Sequence, residues 1–276
     1  MQCGIRGGRM SVRALVVTAP GINCDLELAH AFEQAGALVD TLPLLRLVRH
    51  PALIDGFKLI GLPGGFSYGD DIAAGRVLAT LMRKHLYSAL KCAIERGCPI
   101  IAPCNGFQVA VQAGLLPGPR PGVGWPDAPD RPNVSLSINL QAMFRDCWTP
   151  MEVPENSRCI WTQGIDFEGV AGMLPSAHGE GRFVSSDLML NQLEESGQIA
   201  LCYAEDANFN GSSRCIAGIC DPSGLVLGLM PHPERFTRWS QHPSWTRLDP
   251  RLRAERVPPG LAMFQNAVAH ASTVTV

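Results

Sequence analysis

The stretch PIIAPCNGFQVAVQAG, residues 99–114, decides the fold. Its first five residues are apolar and bounded by prolines, the pattern of a short strand buried on both faces. From Asn105 onward the spacing turns helical. A buried strand that runs straight into a helix is the junction of a parallel α/β sheet. Cys104 sits on that junction, in the layout of a nucleophile elbow, which exposes one side chain on a sharp strand-to-helix turn. A helix N-terminus favours a thiolate over a thiol. The backbone N–H of Asn105 is placed to meet a developing oxyanion, and Gly106 leaves room for close backbone approach. An arbitrary cysteine at a strand end is more often a small buried apolar residue. The strand–Cys–Asn–Gly–helix setting tips the reading toward a nucleophile.

Outward from this junction the same rhythm repeats. ALVVTA (14–19), LVDTLPL (38–44) and KLIGLP (58–63) read as strands, DLELAHAFEQAGA (25–37) as a helix, and Ile72 to Arg96 as helical for most of its length. This alternation predicts an α/β fold, a mostly parallel central sheet with helices on both faces, whose ligand crevice lies beyond the carboxyl ends of the strands. Residues 117–133 hold too many Pro and Gly for regular structure and read as an exposed excursion. VSLSINL then resumes as a strand, with further strands at RCIAGI (214–219) and LVLGLM (225–230). Residues 237–257 read as an irregular surface segment, and PGLAMFQNAVAHA as a closing helix with Pro at its start. Residues 1–12 read as a loose leader, with Met10 an alternative start, and 13–276 as a single domain.

Composition narrows the function. With 276 residues, 46% hydrophobic and 17% charged, the chain has the balance of a soluble enzyme. A net charge of −2 leaves no basic footprint for nucleic acid or an anionic membrane. No apolar run is long enough to span a bilayer. The ten cysteines form no C-x-x-C pair, which argues against a structural zinc site, so no metal is expected. They read as thiols in a reducing cytoplasm.

Two further segments supply partners for Cys104. In GLMPHPERF (228–236), prolines flank His232 and hold it extended. In an extended chain residues two apart share a side, so His232 and Glu234 project together. A carboxylate beside an imidazole fixes its tautomer and stabilises the imidazolium, the arrangement of base and orienting residue in a catalytic triad. Taken alone, the pair reads equally well as an exposed Pro-rich turn. LPGGFSYGDD (62–71) follows an apolar strand but matches neither the P-loop nor G-x-G-x-x-G. Backbone N–H groups of Gly64, Gly65 and Phe66 are candidates for a second oxyanion donor.

PGINCDLE (20–27), LPGGFSYGDD, PCNGFQ (103–108), AHGEGRF (177–183), NFNGSSRCIAGICD (208–221) and MPHPERF (230–236) occur in this order. Together they resemble the class I (triad) glutamine amidotransferases, and within them the glutaminase subunits of phosphoribosylformylglycinamidine synthases. The resemblance implies a flavodoxin-like fold, with Cys104 as nucleophile, His232 as base and acid, and Glu234 as its orienting partner. It further implies that Gln108 and the segment from Ser176 to His178 help hold glutamine. No cofactor is implied for this chain; ATP and Mg are expected on a larger synthetase subunit, which receives the ammonia, and a small accessory subunit is expected beside it. The family usually has Gly and an aliphatic residue where Ala102 and Pro103 stand. Competing readings are a glutaminase serving a pyridoxal phosphate, CTP or GMP synthase, a cysteine hydrolase acting on peptides or small carbonyls, and a non-catalytic subunit that keeps the fold. Reconstitution with candidate synthetases and labelling by a glutamine-mimicking electrophile discriminate among them.

Overall fold

The computed structural model describes residues 11–70, 74–167 and 169–274. The expected leader lies outside the described residues except for Ser11 and Val12, as does the start of the stretch expected to be helical from Ile72.

Strands β1 (Arg13–Thr18), β2 (Leu38–Pro43), β3 (Leu59–Gly61) and β4 (Ile100–Pro103) appear where the apolar runs place them. Alternate residues of β1 feed opposite sides of the sheet. Leu15 and Val17 join one core, while Ala14 and Val16 join the other. β4 does the same, with Ile100 and Ala102 on one side and Ile101 on the other. A strand with two buried faces has no polar face to show, which is why these segments read as unbroken apolar runs.

Helices cover both sides. α1 (Asp25–Gln34) opens with Asp25 and Glu27 in its first turn, favourable against the helix dipole. It packs beside the closing helix, whose range is given below. α3 (Arg76–His85), α4 (Tyr87–Glu95) and α5 (Asn105–Ala113) contribute to the opposite core, and the six-residue α2 (Leu44–Arg49) also faces it. The stretch expected to be helical for most of its length up to Arg96 holds two helices. The break is at Leu86, with φ −117°, and it lets both Leu86 and Tyr87 enter the core.

The second half adds β5 (Val134–Ser137), β6 (Arg145–Glu152), β7 (Met173–His178), β8 (Arg182–Ser185), α6 (Asp187–Glu195), β9 (Ile199–Tyr203), β10 (Ile216–Cys220) and β11 (Val226–Leu229). The nine-stranded sheet runs β2-β1-β3-β4-β11-β10-β9-β6-β7, and β5 pairs with β8 separately. From β2 to β11 every pairing is parallel. From β11 to β7 every pairing is antiparallel. The expected parallel core is thus present, with an antiparallel extension beyond it.

Residues 117–133 carry no helix or strand, and they are strapped down. Tyr87 Oη donates to Pro126 O at 3.3 Å, Arg83 Nη2 to Pro129 O at 2.5 Å, and Lys91 pairs with Asp127. Residues 237–257 form 3-10 turns and α7 (Pro250–Glu255), with Thr237, His242 and Leu248 buried. The chain closes with α8 (Pro259–Thr273), whose Phe264 meets Phe32 of α1 edge to face at 5.2 Å. No described helix is long and apolar enough to cross a membrane.

Candidate active site

At the end of β4 the backbone turns through Cys104 with φ 51° and ψ −110°. That conformation is disfavoured for any residue with a Cβ, at a cost of about 1–3 kcal/mol, and survives only where its surroundings impose it. Here they do. Cys104 N–H donates to Leu229 O of β11 at 2.7 Å, and Cys104 O accepts from Phe107 N–H at 2.9 Å. Gly106 cannot be replaced by a larger residue, since a Cβ would lie 2.0 Å from Leu62 O.

Pro103 stands beside Cys104 where the resemblance leads one to expect an aliphatic residue, and the ladder explains how it is accommodated. Ile60 N–H donates to Pro99 O and Leu62 N–H to Ile101 O, so the next donor from β4 toward β3 would come from residue 103. Proline has none, and β3 ends at Gly61. The β11 side, which holds Cys104, is untouched.

His232 follows β11. Its backbone N–H donates to Pro175 O of β7 at 2.7 Å, and its Nδ1 shares a 2.6 Å hydrogen bond with Glu234 Oε1. Glu234 reaches it from a single 3-10 turn, Pro233–Arg235, rather than from the extended chain expected. Proline at the first position of that turn supplies the φ it needs. Both side chains are almost wholly buried. Burial opposes protonation of His232, but the Glu234 carboxylate and the Cys104 sulfur, with Cys24 beside them, outweigh it and hold the imidazole well above its ordinary range.

Cys104, His178, His232, Gln108 and Gly65 line one cavity of ≈ 250 Å³, room for a single free amino acid. The sulfur of Cys104 lies 3.8 Å from Ala177 O. Gly64 packs against His232, where a Cβ would approach Cε1 to 2.9 Å. Of the three candidate donors in the Gly-rich turn, Phe66 N–H is spent on Gly21 O at 2.9 Å, so it is not an oxyanion donor; its side chain stands at the mouth. Asn105 opens α5, and its side chain joins the two loops. Oδ1 accepts from Ser67 N–H at 3.3 Å and Nδ2 donates to Gln108 Oε1 at 3.0 Å. Gln108 Nε2 in turn donates to Glu180 O at 2.5 Å. Both ends of Gln108 are thus engaged, and it braces the wall it lines. Ser176 is fully buried and absent from the cavity surface; Ala177, His178 and Gly179 form that wall.

Several residues at the site carry no sequence signal that singles them out. Asn23, Cys24 and Arg235 border the cavity, as do Phe144 and Glu180. Cys24 and Arg235 are visible inside PGINCDLE and PHPERF, but nothing in their spacing says they meet. Arg235 Nη2 lies 3.0 Å from Cys24 Sγ and Nε donates to Glu27 at 3.1 Å. Cys24, His232 and Glu234 bring ligand-type atoms within 4.8 Å of one another. Those of His232 and Glu234 are bonded to each other, and a guanidinium stands on the Cys24 sulfur, a poor setting for a cation.

The arrangement of nucleophile, imidazole and carboxylate suits acyl transfer from a small amide or ester. Residues 11–271 match the family model described as CobB/CobQ-like glutamine amidotransferase domain. The phosphoribosylformylglycinamidine synthase subunit PurQ of Dehalococcoides mccartyi is 39% identical over 270 residues, covering 95% of this chain and 99% of the relative. That of Methanococcus maripaludis is 34% identical over 274 residues, covering 94% and 97%. Among solved structures, a chain of PurLQS from Thermotoga maritima superposes with TM-score 0.69 at 32% identity, covering 94% of this chain and 99% of that one.

Proposed function

The chain belongs to the CobB/CobQ-like glutamine amidotransferase family, and from that premise we propose that it is the glutaminase subunit of a phosphoribosylformylglycinamidine synthase. The observation that carries the chemistry is the convergence of Cys104, on its strained elbow, with the His232–Glu234 pair inside one amino-acid-sized cavity. The acceptor reaction rests on similarity to PurQ subunits over almost the whole chain.

In this reading the Cys104 sulfur attacks the side-chain carbonyl carbon of glutamine. The carbonyl oxygen becomes an oxyanion facing the N–H groups of Asn105 and Gly65. His232 gives its proton to the nitrogen, the C–N bond breaks, ammonia leaves, and a γ-glutamyl thioester remains. A water then attacks the thioester carbonyl while His232 takes its proton. Cys104 departs, and glutamate is released. Glu234 holds Nδ1 throughout, keeping the other ring nitrogen toward the chemistry.

The ammonia passes to a larger synthetase subunit, which uses ATP and Mg to convert formylglycinamide ribonucleotide to formylglycinamidine ribonucleotide. A small accessory subunit completes the complex, which works in the cytoplasm. Similarity to a chain of the Thermotoga maritima PurLQS structure supports a partnered enzyme. The test is the reconstituted complex with Cys104→Ala. Glutamine-dependent synthesis should vanish while ammonia-dependent synthesis persists. Continued glutamine hydrolysis would refute the assignment, and activation of a different synthetase in place of this one would redirect it.

A further inference from the structure

Cys24 has no step in the mechanism above, yet its sulfur lies against the residues that carry it. Both Cys24 and Cys104 are free thiols and border the same cavity. His232 makes side-chain hydrogen bonds to both cysteines. Its Nδ1 is occupied by Glu234, so both bonds fall to Nε2. Gly64 shows the same convergence. A Cβ built there would lie 2.9 Å from His232 Cε1, 3.4 Å from Cys104 Cβ and 3.4 Å from Cys24 Sγ. A single carbon would thus touch both cysteines at once, and Gly64, having no side chain, puts nothing of its own between them.

Cys24 occupies the N-cap of α1 but makes no capping hydrogen bond; its side chain faces the catalytic pair instead. Its S–H donates to Asn23 Oδ1 at 3.2 Å, and Arg235 Nη2 donates to the sulfur at 3.0 Å. The two cysteines differ in access. Cys24 is 1% exposed, whereas Cys104 is 9% exposed, on a cavity whose mouth carries the exposed ring of Phe66. A space that admits a free amino acid admits a small neutral peroxide. A reactive sulfur within reach of an oxidant, with a second sulfur buried beside it, is the layout of an attacking and a resolving cysteine. Cys24 need reach only Cys104, and a step between staggered rotamers is the motion available for that. The Cys159–Cys220 pair marks the contrast. Those two side chains also hydrogen-bond to each other, but both are sealed in the core with no sulfur open to an oxidant.

We propose that Cys24 is the resolving cysteine of a peroxide-sensitive switch, in which oxidation of Cys104 ends in a reversible Cys24–Cys104 disulfide that turns the site off. The Cys104 sulfur attacks one oxygen of hydrogen peroxide and the O–O bond breaks. The other oxygen leaves as water, taking the thiol proton through His232. Cys104 is thereby oxidised by two electrons to the sulfenic acid, and the peroxide is reduced. The Cys24 sulfur then attacks the Cys104 sulfur, the S–O bond breaks, and the hydroxyl leaves as a second water with the Cys24 proton, carried across by Nε2. Two thiols and one peroxide become one disulfide and two waters. A dithiol reductant reopens the bond by exchange. Cys24 also intercepts the sulfenic acid before a second peroxide can convert it irreversibly to the sulfinic acid. The proposal rests on the glutaminase reading only for the activity that the bond switches off.

The experiment exposes the reconstituted complex to hydrogen peroxide, blocks the remaining thiols of one portion with an alkylating agent for peptide mass spectrometry, and assays the rest before and after dithiothreitol. Activity is read as the ratio of glutamine-dependent to ammonia-dependent synthesis, relative to each protein's own untreated sample, so that damage to partner subunits cancels. In the wild type this ratio should fall by about tenfold or more and return almost fully with dithiothreitol. The peptides of Cys24 and Cys104 should be joined, with fragment ions placing the bond on Cys104 rather than on nearby Cys98. In Cys24→Ser the ratio should fall as far, but dithiothreitol should restore about a tenth of it or less, with Cys104 found as the sulfinic acid. Cys24→Ala should behave as Cys24→Ser does, which separates loss of the sulfur from any effect of the new hydroxyl. A wild-type complex without the Cys24–Cys104 bond, or one that recovers no better than the two variants, overturns the proposal. Absence of glutamine hydrolysis in the untreated wild-type complex overturns the glutaminase reading instead, and the joined peptides still decide whether the bond forms.

Discussion

The two walls of the cavity are built on different principles. The wall bearing Cys104 comes from the parallel half of the sheet, where β4 and β11 lie side by side and both loops leave from carboxyl ends. Backbone geometry holds it: a strained φ, a ladder hydrogen bond and a glycine with no room for a Cβ. The facing wall comes from β7, the last strand of the antiparallel half. It is held by side chains instead, with Asn139 fixing His178 and Gln108 fixing Glu180. The walls are tied together where His232 N–H donates to Pro175 O. A wall made of backbone can place a nucleophile with little dependence on side-chain identity nearby. In a wall made of side chains, each amide or ring presents a donor or an acceptor according to its own partners.

That contrast can be broken in order of severity. Replacing His232 with Ala removes the group shared by both walls, and glutamine hydrolysis in the complex should fall by about 10⁴-fold or more with the fold retained. Steady-state kinetics and circular dichroism check it; a loss of less than about tenfold would show that the imidazole is not the proton carrier. Gly106→Ala strikes the backbone wall. With Leu62 O 2.0 Å from the added Cβ, unfolding free energy should drop by about 3 kcal/mol or more, and activity with it. Denaturant unfolding measures the effect, and near-wild-type stability would mean that the elbow yields.

The side-chain wall should announce itself through pH. His178 has a folded pKa of about 4 against an ordinary 6.5, so the unfolded chain takes up its proton first as pH falls. Its contribution to stability is complete above about pH 6.5 and is lost as pH drops toward about 4, about 3 kcal/mol in all. Unfolding curves of wild type and His178→Gln, taken at about pH 7 and about pH 4.5, should therefore converge at the lower pH by most of that amount. Parallel loss in the two proteins would assign the acid sensitivity elsewhere. The mildest change tests neither wall. Ser186 caps α6 through Met189 N–H, and Ser186→Ala should cost about 1 kcal/mol in thermal or chemical denaturation while leaving kcat and KM alone.

The two walls also differ in how legible they are. Strand β4, Cys104 and α5 can be read because strand, turn and helix are consecutive, and a strand buried on both faces is apolar at every position. His232 and Glu234 can be paired because they are two residues apart, although a 3-10 turn rather than extended chain brings them together. β6, β7 and β9 carry no comparable signal. Arg145–Glu152 mixes exposed, half-buried and buried positions without clean alternation, as a strand near the edge of a curled sheet does. Phe66 reads as a donor from sequence because its true N–H partner, Gly21, belongs to a distant earlier loop. Ser176 travels with His178 on motif proximity, and only the folded chain separates the side chain that reaches the cavity from the one that does not.

By itself, the order of residues determined the parallel core, the position of the elbow and the candidates for nucleophile, base and carboxylate, since each depends on neighbours within a few residues. Tertiary structure alone decided the rest: that β7 comes within reach of the chain just after β11, that Asn139 meets His178 across 39 positions, and that an imidazole near the nucleophile is kept neutral. Hydrogen-bond polarity is a property of partners in space, and those partners come together only when the chain is folded.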